Sequence, residues 1–141
     1  MSIKSELYTY LTSSTPLAAL VSTRIYPQTA PTSAALPYIV YSRIDGEHLH
    51  CFGGAAGIAT ARFQFMAWSS TSDNAEEIGE ALRNRMDGLG NTTWGAFSIL
   101  TVFLENEVDQ ITTPEHGEEQ GVFAGLQDYL ISYRESVPSF A

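Results

Sequence analysis

Apolar residues recur at helical spacing along the first segment: Ile3, Leu7, Tyr8 and Leu11 form one stripe, with Lys4, Glu6 and Thr9 on the opposite side. That spacing predicts a short amphipathic helix with one face on a core. The run ends in Ser13, Ser14 and Thr15. Thr15 is placed to cap a second helical turn beginning at Pro16, whose missing N–H has no helical partner there. Leu17, Leu20 and Val21 give this turn an apolar side. The period then shortens to two. Arg24, Ile25 and Tyr26 read as a short extended piece. The run YIVYSRI alternates Tyr38, Val40, Ser42 and Ile44 with Ile39, Tyr41 and Arg43, a strand rich in β-branched and aromatic residues.

A second alternation sets Ala61, Phe63, Phe65 and Ala67 against Arg62, Gln64, Met66 and Trp68, as in a half-buried antiparallel strand. Between these strands, DGEHLHCFGGAAG predicts a long hairpin connection with a mobile tip. Helical spacing returns in SSTSDNAEEIGEALRNRMDGLG. Ser72 or Asp73 is the capping residue, Ala75, Ile78, Leu82, Met86 and Leu89 form the stripe, and Gly88 is the stop. The next run, FSILTVFLE, is apolar on both faces and predicts a central, doubly covered strand. An acidic loop over 105–120 then leads to a last strand, GVFAGLQDYLISYRE, long enough to pass its neighbours. The expected fold class is α+β, with an antiparallel sheet of about four main strands and two helices packed on one face. Residues 1–141 form a single domain on this reading, with no internal repeat.

One stretch fits neither period. Between Pro27 and Pro37 the chain carries three prolines among small residues, PQTAPTSAALP. Proline restricts both itself and the residue before it, so this arm loses less entropy on being fixed than a glycine-rich loop of equal length.

Composition narrows the classes of function. The chain has 44% hydrophobic and 16% charged residues, a globular balance, and its apolar runs fall short of a bilayer span, so no membrane segment is expected. The N-terminal MSIKSELYTYL lacks the apolar block of a secretory signal. A lone Cys51 excludes an intramolecular disulfide and fits a reducing, cytoplasmic compartment. A net charge of -9, with only seven basic residues, argues against binding that neutralises several phosphates.

The search for chemistry finds little. His48, His50 and Cys51 stand close together and His116 lies far along the chain, without the second cysteine, CxxC or HExxH spacing of a zinc site. On an extended segment His48 and His50 would share a face and Cys51 would oppose them, an exposed-loop reading. Glu105, Glu107, Asp109, Glu115, Glu118 and Glu119 are numerous enough for calcium, but Pro114 and apolar residues interrupt them where a DxDxDG order is needed. They read as a solvated loop. Gly53, Gly54 and Gly57 lead into a strand, so the helix N-terminus of a phosphate loop is missing. Trp68 and Trp94, with Tyr38, Tyr41, Tyr129 and Tyr133, lack interleaved basic residues and fit core packing or subunit contact. No catalytic, cofactor-binding or metal-ligating residue is assigned.

In order along the chain, SELYTYLTSSTPLAALVSTRIYP, LPYIVYSRIDGE, ATARFQFMAWSSTSDNAEEIGEALRNRMDG, VFLENEVD and GLQDYLISYRE resemble the tail completion or tail terminator proteins of long-tailed bacteriophages and prophages. The likeness covers nearly the whole chain. It implies a structural virion protein of the head-tail joining region, or neck, with no catalytic residue and no cofactor. It implies a hexameric ring of identical subunits at the head-proximal end of the tail tube, contacting tube protein and a head connector or adaptor while DNA passes through unbound. The protein would be located in the virion after assembly in the host cytoplasm. On this reading Pro27, Pro31, Leu36, Pro37 and Tyr38 are candidate subunit or tube contacts, and Glu105, Glu107, Asp109, Glu115, Glu118 and Glu119 are candidate lumen-facing carboxylates that would repel the DNA backbone. Two alternatives stand beside it: a head-side neck adaptor, and a small ligand-binding or hydrolytic domain with its site between sheet and helices.

Overall fold

The structure, a computed structural model, describes residues 2–112 and 122–140. Three helices, α1 (Ile3–Thr12), α2 (Thr15–Val21) and α3 (Ser72–Met86), accompany six strands. These are β1 (Ile25–Pro27), β2 (Tyr38–Cys51), β3 (Gly54–Ser69), β4 (Gly90–Trp94), β5 (Phe97–Thr112) and β6 (Val122–Arg134). They form one mixed sheet in the order β1-β2-β3-β6-β5-β4. Only the β1–β2 pair is parallel.

Each helix starts on a side-chain cap that satisfies an otherwise orphaned N–H. Ser2 accepts from the Ser5 N–H, Ser14 from Leu17 and Thr71 from Asn74. The caps of α2 and α3 therefore fall one residue or more before the expected Thr15 and Ser72 or Asp73. After α3, Gly88 takes a left-handed φ of +84° and turns the chain, as its position predicts.

The helices lie over one face of the sheet. The stripe residues Ile3, Leu7, Leu11, Leu17, Val21, Ile78, Leu82 and Met86 join one buried cluster with Ile39 and Tyr41 of β2, Ala61, Phe63 and Phe65 of β3, and Tyr129, Ile131 and Tyr133 of β6. Phe65 lies at its centre, 5.9 Å from Tyr41 and 5.5 Å from Tyr129 between ring centroids. At the outer end, Tyr10 of α1 stacks on Trp94 of β4 at 4.8 Å while the Arg85 guanidinium sits 3.9 Å from the Tyr10 centroid. The Tyr10 hydroxyl donates to the Arg85 carbonyl at 2.8 Å, so one aromatic side chain ties α1 to both α3 and the sheet edge.

The expected four-strand sheet matches the central strands β2, β3, β6 and β5 and misses both edges. β1 has three residues and β4 has five, so neither is long enough for an alternation to show. The expected second helical turn is a complete helix, which makes three helices where two were expected. β5 is second from an edge, while β3 and β6 are central. Its strand conformation continues to Thr112, so the first part of the expected acidic loop, 105–112, is strand; residues 113–120 lie outside the described residues. β6 is shorter than β3 and β5, and the hairpin of β2 and β3 is what projects.

One close backbone approach in the sheet requires glycine. A Cβ at Gly90 would lie 2.7 Å from the Leu100 carbonyl oxygen across the β4–β5 pair, whereas a Cβ at Gly53 would meet nothing within 4 Å. Gly90→Ala is therefore expected to lower stability in urea denaturation by about 1–3 kcal/mol, the usual range for forced overpacking, while Gly53→Ala leaves it nearly unchanged. Equal midpoints for the two variants would contradict the β4–β5 register.

Candidate functional site

The proline arm is fixed at both ends. β1 and β2 run side by side, and residues 28–37 close the connection between them. Gln28 adopts a left-handed φ of +65° and donates its N–H to the Tyr41 carbonyl at 2.7 Å. The Arg24 Nε donates to the Pro37 carbonyl at 2.9 Å. Tyr38, half-buried, meets Tyr26 edge to face at 5.9 Å. Pro37 is half-buried, whereas Pro27, Pro31 and Leu36 are exposed. The candidate contacts thus occupy one anchored loop, whose outer turn presents Pro31 and Leu36.

The acidic candidates divide. Glu115, Glu118 and Glu119 lie outside the described residues. Glu105, Glu107 and Asp109 are exposed on β5. Their register opposite Gln127 and Gly125 directs Glu107 and Asp109 to the helix side. There, with Glu76, Glu80 and Arg83 of α3, they line a cleft of about 300 Å³. Among the described residues, no group of His, Cys, Asp and Glu has the arrangement of a metal site. His48 of β2 reaches across to Glu135, just past the end of β6, its Nδ1 2.5 Å from the carboxylate, a pair the sequence pattern did not reveal because the two are far apart along the chain.

Buried polar groups bind α3 to the sheet. The Tyr129 hydroxyl donates to the Gln127 side-chain oxygen at 2.7 Å, and the Gln127 amide donates to the Gly79 carbonyl at 3.0 Å. Gly79 interrupts a helix interior, where glycine costs about 1 kcal/mol relative to alanine. Its Cβ would stand 3.2 Å from that amide, so the missing side chain makes room for the contact. At the C-terminus of α3, Asp87 accepts from the Leu104 N–H at 3.0 Å and from Arg83 at 3.2 Å. The Leu104 hydrogen bond first, then Arg83, holds its carboxyl below the ordinary value.

Among the described residues, three surfaces keep apolar groups exposed or backbone edges unpaired. The sheet face opposite the helices carries Val40, Met66, Trp68, Phe103, Leu126 and Val108, with Phe103 51% and Val108 40% exposed. β1 pairs only with Ile39–Tyr41, so the outer edge of β2 beyond them is unpaired among the described residues. Residues 87–89 extend the cover of the outer edge of β5 to Val102 and Leu104, and beyond Leu104 no described strand pairs with it. Open edges and apolar patches of this kind are contact sites in assembling proteins.

The fold is similar to that of a chain in the "Virion of native gene transfer agent (GTA) particle", with a TM-score of 0.66 and 16% identity, covering 92% of this chain and 95% of that one. No curated protein matches. The class is that of the tail structural proteins. The family model for Tail completion protein gp17 matches residues 5–114, most of the chain, and the protein belongs to that family.

Burial pushes the phenols of Tyr10, Tyr41, Tyr129 and Tyr133 above the ordinary tyrosine value. In the unfolded chain they ionise near pH 10, so their stabilising effect is complete below about pH 10 and is lost as pH rises through the higher folded values. Alkaline titration is expected to show late phenolate absorbance from these four that coincides with loss of far-ultraviolet dichroism. Ionisation of every tyrosine near pH 10 with the dichroism intact would contradict the packing.

Proposed function

We propose that the protein forms a hexameric ring on the head-proximal end of a phage tail tube, ends tube growth and joins the tail to the head connector. DNA passes through the opening. The match of residues 5–114 to the tail completion family carries this reading. The exposed Phe103 and Val108 on the sheet face away from the helices, and the stretches of β2 and β5 edge unpaired among the described residues, support it, because a ring subunit must offer contacts on both sides of itself.

Within the ring, the loop bearing Pro27, Pro31, Leu36, Pro37 and Tyr38 contacts a neighbouring subunit or the tube. Its two-ended anchoring lowers the ordering cost of docking. The carboxylates of Glu105, Glu107 and Asp109, with Glu115, Glu118 and Glu119, face the passage and keep the DNA backbone from adhering. The protein works in the neck of the virion after assembly in the host cytoplasm, and no bond is made or broken.

Particles assembled without the protein are expected to yield filled heads separate from tails of irregular, excessive length in electron micrographs, with joining restored by added purified protein. Tails of normal length firmly attached to filled heads would overturn the proposal. Binding to purified connector protein with none to tube protein would place the chain on the head side of the joint.

A further inference from the structure

Two parts of the chain run out to fully exposed aromatic rings. The β2–β3 hairpin continues past the last β6 pairing, Ile58↔Arg134, as a two-stranded ribbon paired through His50↔Ala55 and Cys51↔Gly54, with Phe52 at its tip. This ribbon reaches about 13 Å past β6, at roughly 3.3 Å per residue. After β6 the chain leaves regular structure, and residues 135–140 lead to Phe140. A ribbon of two strands is marginal in water by itself, and a segment with no ladder of its own opens more readily still. What fastens each of them therefore decides how far it is ordered.

Both lead back to one joint. His48 stands at the root of the ribbon, where the β2–β3 register shifts between His48 and His50. Its Nδ1 lies 2.5 Å from the carboxylate of Glu135, the first residue past β6. The Glu135 N–H donates to the Gly57 carbonyl at 2.9 Å, and the Glu135 carbonyl oxygen and the Val137 side chain stand 3.2 and 3.4 Å from where a Gly57 Cβ would be. Glu135 thus ties ribbon and tail together by one backbone bond and one side-chain pair.

The backbone bond is indifferent to pH, and the side-chain pair is not. The His48 side chain is 54% exposed, so its ring exchanges protons with solvent, and histidine is the residue type that ordinarily changes charge between about pH 5 and 8. Protonated, the ring meets the carboxylate as ion to ion. Neutral, it offers only an uncharged N–H, a bond about half as strong. The other charged and titratable groups at the joint are Glu47 and His50 near His48 in sequence, Arg134 beside Glu135, and Arg43 of β2 with Tyr133 of β6, whose phenol feels both Arg43 and Glu135. β3 sets Ala59 opposite His48, and its one charged residue, Arg62, lies 3.9 Å from Asp128 instead.

We propose that the His48–Glu135 pair is a proton-operated latch: with the imidazole charged, ribbon and tail are held to the end of β6, and with it neutral both loosen together. The device lies within one chain and works whatever either arm meets.

Amide hydrogen exchange and nitrogen-15 relaxation of the full chain, at about pH 5.5 and about pH 8, test it. After correction for intrinsic exchange, the Glu135 amide is expected to be about twofold to fivefold better protected at the lower pH, the range an exposed ion pair supports. Residues 49–56 and 136–140 are expected to become more ordered in step. Glu135→Gln and His48→Asn are each expected to remove the difference with thermal unfolding nearly unchanged, and His50→Asn to keep it. High salt is expected to shrink it. Equal protection at both pH values in the parent protein would overturn the latch, as would a difference that survives Glu135→Gln or vanishes with His50→Asn. A ribbon that tightens at low pH without the tail would overturn the shared joint.

Discussion

Burial of Phe63, Phe65 and Tyr129 beneath the apolar stripe of α3 fixes the register of the two central strands. A slip of one residue between β3 and β6 would turn over one of the two strands, bringing either Arg62 and Gln64 or Asp128 under the helices in place of the rings. The Tyr129–Gln127–Gly79 chain of hydrogen bonds adds direction to this apolar contact, because it is complete only when α3 lies at one height along β6. The placement of every outer element follows. α1 and β4 meet through Tyr10, Trp94 and Arg85 at one side, and β2 carries the proline loop and its hairpin with β3 at the other.

The helices cover one face of the sheet, and among the described residues the other face keeps Phe103 and Val108 exposed and the edges of β2 and β5 partly unpaired. A monomeric domain would blunt these with charge, proline or a covering loop. Here the β5 edge is charged by Glu105, Glu107 and Asp109, which discourages indiscriminate strand pairing, while the open face retains Phe103 and Val108 in water. That combination suits a subunit that must stay apart from its copies until a template gathers them, and it agrees with membership of the tail completion family.

Much of the core was legible because its signals are local. The alternation of Ala61, Phe63, Phe65 and Ala67 and the stripe of Ile78, Leu82 and Met86 each point to a buried face, and the structure buries them. β1 and β4 were not legible as sheet edges, since Ile25–Pro27 and Gly90–Trp94 are too short for a period, and β1 owes its conformation to Ile39–Tyr41 while β4 is the short arm of a hairpin with β5. The strand over 105–112 was hidden by its charge: acidic residues are depleted in strands, and here pairing with β6 overrides that preference. The glycines around Phe52 suggested a loose connection, and pairing of Cys51 with Gly54 makes them a tight turn instead. Of the candidate contacts, the sequence marked the proline loop through its stiffness.

The central claim is that this one-faced sheet is a ring subunit at the end of a tail tube. Cryo-electron microscopy of the head-to-tail junction tests it most directly. The expected map holds a closed ring of copies seated on the last tube ring, each fitted by the α1–α3 layer and the sheet described above. A junction whose density accommodates the chain nowhere on the tube, or only as an isolated copy, would contradict it.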